Sequence, residues 1–279
     1  MSRSLTITKA DGIEAPYRRE QLMESLIRSG ASAPTAEKIA AAVEAQLLPG
    51  MSTRKIWTMA HQLLRRVERA SALRYGLKRA IMNLGPTGFP FEKYLAAVLK
   101  AYGYDVSVGV VVPGACVSHE IDVIARKDRE HYLIEAKYHN QPGLRSDVKV
   151  ALYVHARFLD ICANWASRPE HAGEFHQAWL VTNTKCTRDA VQYAECAGLK
   201  VLSWRHPSSG GLEKMIEDKA LYPITILPLH GAIKTKLVAA NVMLVKDLCD
   251  SNLKELSLQW NIPLGDLERL RALASRMCG

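Results

Sequence analysis

No run of residues in this 279-residue chain is apolar for long enough to cross a bilayer, which excludes an α-helical membrane span. The opening residues, MSRSLTITKADG, hold none of the apolar core that a secretory signal needs. Cysteine shows no paired pattern. The six residues, at 116, 162, 186, 196, 249 and 278, include no CxxC, which excludes the usual zinc motifs and a small disulfide framework. Free thiols and a cytoplasmic location are therefore expected. No GxxxxGK[ST] loop occurs, so a P-loop motor is excluded. Acidic residues are outnumbered: 28 Asp/Glu face 37 Lys/Arg, for a net charge of +9 and a pI near 9.3. Such a surface suits an anionic partner, nucleic acid or nucleotide. What remains is a globular composition, 48% apolar and 23% charged, with length for two or three small domains.

The stretch richest in chemistry, residues 119–139, reads HEIDVIARKDREHYLIEAKYH. Two short apolar runs, IDVIA and HYLIEA, flank the charged RKDRE, which is the pattern of a β-hairpin. Glu135 and Lys137 are two residues apart and share one strand face. That face is expected to be solvated, because Ile134 and Ala136 take the other. In an antiparallel pair Asp122 comes opposite or diagonal to Glu135, and two such carboxylates offer the hard oxygen ligands that Mg²⁺ prefers. A lysine beside them orients or activates a water, or stabilises charge on a phosphate. Glu120 shares the face of Asp122. His139, two beyond Lys137, falls on the lysine's face and is a candidate contact to the scissile phosphate. Taken alone, this spacing also describes an ordinary solvated strand with cross-strand ion pairs.

The flanks add context. Upstream, GPTGFPFEKYLAAVLKAYGYDVSV predicts an amphipathic helix from Phe91 to Tyr102, opened by Glu92, and then a strand with a bulge or turn at Gly109. Downstream, Asp147 to Cys162 carries a helical stripe of Val150, Val154, Phe158 and Ile161, with Lys149, Tyr153 and Arg157 on a second face. Strand, helix and strand follow over 178–204, which predicts parallel pairing. Helix glutamate, strand, Asp, then ExK: this order over residues 85–206 resembles the Mrr-like branch of the PD-(D/E)xK nucleases. The resemblance implies a multi-domain α/β protein built on a central mixed sheet. It implies Mg²⁺ or Mn²⁺ held by Asp122 and Glu135 with Glu92 joining them, Lys137 in catalysis, and DNA as the substrate. A role in defence against foreign DNA would go with it.

Residues 1–84 hold 14 Lys/Arg and 7 Asp/Glu, so most of the net charge sits there. SLTITKADGIEAPY predicts a hairpin turning at Asp11-Gly12, and four helices follow: Arg19–Arg28, 35–47, one capped by Ser52, and SALRYGLKRAIMNLG. A hairpin beginning TKADG, then helices carrying LRYGLKRAI, resembles the ATP-cone, a nucleotide-binding regulatory domain. The family's second basic residue is replaced by Ala10. The resemblance implies ATP or dATP bound as a regulator by Lys9, Gly12, Arg18 and Arg19, with assembly into homo-oligomers responding to the nucleotide. The Gly- and Pro-rich junction at 83–90 is short, so close packing of the two domains is expected.

Residues 207–279 predict a small all-α domain. KLVAANVMLVKDLC and LSLQWNIPLGDLERL both run helix, Asn and a β-branched residue, helix. Asn241 and Asn261 fall where a left-handed turn is needed, and Asn tolerates it best after Gly. The segment resembles a divergent helix-hairpin-helix domain, which implies non-specific contact with a DNA backbone; a helical packing or oligomerisation module fits the same residues. Two other functions stay open at this point: a catalytically silent nucleotide-sensing DNA-binding regulator, and a structure-specific repair nuclease.

Overall fold

The computed structural model describes residues 5–128, 130–166 and 175–278. Ser4, at the head of the expected first strand, and Arg129, in the RKDRE turn, lie outside the described residues.

Strands β1 (Thr6–Thr8) and β2 (Glu14–Pro16) form the N-terminal hairpin, turning through Gly12 at φ +81°. Helices α1 (Arg19–Arg28) and α2 (Ala33–Glu44) follow, and then β3 (Met51–Ser52) joins β1 in parallel. Next come α3 (Thr53–Val67), α4 (Arg69–Tyr75) and α5 (Leu77–Met82). Small hydroxyls set the helix starts: Ser32 Oγ accepts from the Thr35 N–H, and Ser52 Oγ from the Lys55 N–H. Ile7, Leu26, Ile39, Ile56, Leu64 and Ala72 belong to one core. The single helix expected over SALRYGLKRAIMNLG is broken at Gly76 (ψ −2°), and α5 packs into a different core from α4.

The central unit contains α6 (Phe89–Ala101), β4 (Asp105–Pro113), β5 (Ser118–Lys127), β6 (Glu130–Lys137), β7 (Arg145–Ser146) and α7 (Val148–Ala166). It continues with β8 (Phe175–Thr182), β9 (Lys185–Cys186), α8 (Arg188–Cys196) and β10 (Lys200–Leu202). Five strands make a mixed sheet in the order β10-β8-β6-β5-β4. The β4, β5 and β6 pairs are antiparallel, while β6, β8 and β10 run parallel. Val123, Ile134 and Ala136 share a core with α6 on one face. Leu133, Ile121 and Leu180 share another with α7 and α8. The sheet is therefore buried on both faces, as parallel strands require.

The C-terminal helices are α9 (Leu212–Asp218), α10 (Gly231–Ala239), α11 (Val245–Asp250), α12 (Leu253–Trp260) and α13 (Leu264–Cys278), with one 3₁₀ turn at Ile224–Ile226. Asn241 (φ +61°) and Asn261 (φ +49°) both take the left-handed conformation. This segment has no core of its own. Ile224, Leu248 and Leu267 belong to the same cluster as α5, α6 and the sheet. Tyr94 Oη donates to the Leu221 carbonyl at 2.8 Å, so a fully buried phenol keeps a partner. The junction is closed as well: Tyr138 Oη donates to the carbonyls of Met82 and Gly85. The change of core falls at Gly76, between α4 and α5, and the helices after 206 share the central cluster. Among the described residues no helix is long and apolar enough to cross a membrane. Cys116, Cys162, Cys186, Cys196 and Cys249 are free thiols.

Candidate active site

Asp122 stands where regular pairing stops. The β5–β6 register runs from Lys127 opposite Glu130 to Val123 opposite Ile134, and the next step would set Asp122 against Glu135. Instead Asp122 Oδ2 accepts the Ala136 N–H at 2.7 Å, a side chain satisfying a main-chain donor. On the other side β4 passes Asp122 at Gly109, whose φ of +65° marks a local irregularity. The strand alternation slips here: Ile121 packs with the α7 core, and Val123 with the α6 core. The β5–β6 ladder stops here, leaving a notch in the pairing beside Asp122.

Glu135 lines that notch, and its face is not solvated. The residue is 8% exposed, because α7 covers the strand and leaves Leu133 in contact with Val154 and Ile161. Arg157 of α7 donates to Glu135 Oε2 and to the Glu120 carbonyl. Lys137 Nζ reaches Glu135 Oε1 at 2.5 Å. Tyr153 lies under both cations, 5.6 Å from Lys137 Nζ and 5.1 Å from Arg157 Cζ. The second face of α7 therefore looks into the site through Tyr153 and Arg157. Sequence spacing had placed these two on one stripe, but only packing shows what the stripe meets.

Glu92, in the first turn of α6, is coupled to the same charges. Burial pushes its carboxyl up to about 7, and Asp122, Glu120 and Glu135 push in the same direction. Asp122 is raised by burial and then by Glu135, against the opposing pull of the Ala136 N–H and the nearby cations. Two carboxyls held out of water beside other carboxylates are a donor set of hard oxygens that fits a divalent cation. Among the described residues no three His, Cys, Asp or Glu side chains already converge as a ligand set. Glu135 is engaged by Arg157 and Lys137, and one Asp122 oxygen by Ala136. Glu120 itself is exposed. His139 sits half-buried beyond Lys137, with Nε2 3.3 Å from Ser146 Oγ. Burial, and then Lys137, lower its pKa and favour the neutral ring. Asn183 clamps the His139 peptide, accepting its N–H and donating to its carbonyl, each at 2.8 Å.

The four residues expected to bind nucleotide do not form one group. Lys9 lines a cavity against the central unit. Gly12 supplies the hairpin turn. Arg18 precedes α1 with its side chain exposed. Arg19 is turned away to pair with Glu37 and Glu44.

Residues 86–205 match the family model described as restriction endonuclease, Mrr_cat, which makes this stretch a nuclease domain of the restriction endonuclease class. The chain belongs to the same family as an uncharacterised protein of Archaeoglobus fulgidus, to which it is 39% identical over 167 residues, 59% of this chain and 90% of the relative. The crystal structure of AF1548, a protein of unknown function, superposes with a TM-score of 0.59 at 34% identity, over 69% of this chain and 99% of that one. Can2 from Sulfobacillus thermosulfidooxidans, in complex with cyclic tetra-adenylate, gives a TM-score of 0.33 at 10% identity, over 75% of this chain and 64% of that one, a likeness too slight to bear on function.

Proposed function

We propose that the chain is a Mg²⁺- or Mn²⁺-dependent DNA endonuclease whose cutting is regulated by ATP or dATP at an N-terminal domain of the ATP-cone kind. The observation that carries the nuclease half is Asp122 feeling the charge of Glu135, which pairs with Lys137, all within the restriction endonuclease domain. Asp122 and Glu135 would hold the metal, with Glu92 joining directly or through a water. When bound, the cation polarises the scissile phosphate and lowers the pKa of a water. Lys137 would release Glu135 to the metal and would help position or deprotonate the attacking water. Arg157 keeps Glu135 oriented. His139, held neutral, accepts or donates a hydrogen bond at the phosphate flank. The net charge of +9 supports DNA as partner, as does a cleft of about 730 Å³ that bears Arg65, Arg69 and Arg79 and no described carboxylate. The paired C-terminal helices, α10 with α11 and α12 with α13, would add backbone contacts. Nucleotide-dependent homo-oligomer formation is the proposed means of control.

The test is nicking and linearisation of supercoiled plasmid with Mg²⁺ by wild type and Asp122→Ala, each with no nucleotide, ATP or dATP. Metal-dependent cutting that Asp122→Ala abolishes, and that a nucleotide changes, is the expected result. DNA binding without cutting under every condition would replace this reading with that of a silent regulator.

A further inference from the structure

The hairpin tip of the N-terminal unit docks on the loop that follows the catalytic strand. Arg145 donates to Asp11 Oδ2 at 2.9 Å, across 134 residues of sequence. Gly143, at φ +93°, lies so close to the tip that an added Cβ would stand 2.8 Å from the Ala10 carbonyl oxygen. Beside this contact is a cavity of about 220 Å³, lined by Lys9 and Thr53 from the N-terminal unit, by Lys78 of the connecting helix α5, and by Arg145, Thr184 and Lys185 from the central unit. Four cationic side chains face one carboxylate, Asp11, which already serves Arg145 and the Ile13 N–H. Neither Lys9, Lys78 nor Lys185 has a carboxylate partner within bonding distance among the described residues. Lys78 is pushed down to about 8, first by burial and then by Lys185 and Arg205, with Glu213 opposing. The volume suits phosphate groups better than a whole nucleoside. Thr53 opens α3, whose N-terminus adds positive potential.

We propose that the nuclease unit completes the phosphate site: Arg145 and Lys185 bind the polyphosphate of a nucleoside di- or triphosphate together with Lys9 and Lys78, and the ligand displaces Asp11 from Arg145. This rests on the nucleotide half of the function proposed above, and adds to it where the signal enters the nuclease. Arg145 and Lys185 are paired neighbours on β7 and β9. The next residue, Ser146, is buried, contacts His139 Nε2 and accepts the Thr187 N–H at 2.9 Å. His139 is two residues past Lys137. Moving Arg145 from a carboxylate to a phosphate therefore acts on β7 and, through Ser146 and His139, on the end of the catalytic strand.

The experiment is calorimetric titration of the full chain with ATP, dATP, inorganic tripolyphosphate and adenosine. Wild type is compared with Arg145→Ala, Lys185→Ala, Asp11→Asn and Lys9→Ala. Thermal melts establish that each variant is folded; Arg145 and Lys185 are exposed, so their loss leaves the cores intact. Arg145→Ala and Lys185→Ala are each expected to weaken nucleotide and tripolyphosphate about tenfold or more, since each removes a charge-assisted contact. Asp11→Asn is expected to tighten both, because it removes the competitor for Arg145. Adenosine is expected not to bind. Unchanged affinity in Arg145→Ala and Lys185→Ala, with loss in Lys9→Ala, would overturn the shared site and leave a nucleotide site confined to the N-terminal unit. Failure of wild type to bind any of the phosphates would overturn the nucleotide reading itself.

Discussion

The notch around Asp122 and the cavity around Lys78 are electrical opposites. In the first, burial and then neighbouring carboxylates push the Glu92 carboxyl up to about 7. In the second, burial and then neighbouring cations push the Lys78 ammonium down to about 8. Both shifts record charge held out of water beside charge of the same sign. Ligands of opposite sign would relieve such costs, and those proposed above are a divalent cation in one place and a phosphate chain in the other. The two places differ in how they are balanced without ligand. Glu135 is neutralised from within one unit, by Lys137 and Arg157, whereas Arg145 is neutralised across units, by Asp11. The first arrangement would fix the proposed metal ligand. The second would make the docking of two units depend on what fills the cavity.

Three substitutions sharpen the contrast. The largest effect is expected from Glu135→Gln, which removes half of the metal pair and leaves Arg157 and Lys137 without their carboxylate. Plasmid nicking should fall by about a hundredfold or more. A wild-type rate would break the assignment of the notch. Lys78→Met is next and should have opposite consequences for binding and stability. It should weaken nucleotide while stabilising the free protein by about 1–2 kcal/mol after allowance for partial solvent contact. The sign follows from linkage: the folded-state pKa near 8 lies below the unfolded value of 10.5, so between these the unfolded chain binds more protons. Wild-type stability should therefore rise from pH 8 towards 10.5, and denaturant melts of Lys78→Met should lack that rise. The smallest effect is expected from Arg19→Ala. Its guanidinium is tied to Glu37 and Glu44 at the surface, so nucleotide affinity should not change and stability should drop only slightly, read from titration and melting. A large loss of nucleotide affinity would return Arg19 to the phosphate site.

Much of the candidate site was legible because strands have a strict period. The spacing of Glu135 and Lys137, and the place of Asp122 on the adjoining strand, follow from alternation and a polar turn. Arg157 was half legible, on a stripe with Tyr153 at helical spacing. The burial of Glu135 was not, since the strand's own pattern puts Ile134 and Ala136 on the apolar side. Its other face is covered only because α7 crosses it. The break at Gly76 was hidden for a related reason: both halves are good helix, and α5 turns away to join the core of α6 and the sheet. Arg19 looked like a phosphate ligand because a sequence shows charge but not which carboxylates, 18 and 25 residues on, will claim it.

By itself the sequence determined the local matters: the hairpins, the capped helices, the left-handed turns at Asn241 and Asn261, and an ExK strand beside an aspartate. These depend on neighbours a few residues apart, where backbone sterics and side-chain period act directly. Only the tertiary structure decided that the carboxylates crowd, that the C-terminal helices share the nuclease core, and that Arg145 meets Asp11. Charge coupling and burial depend on distance through space, and chain separation carries no information about that distance until the cores have packed.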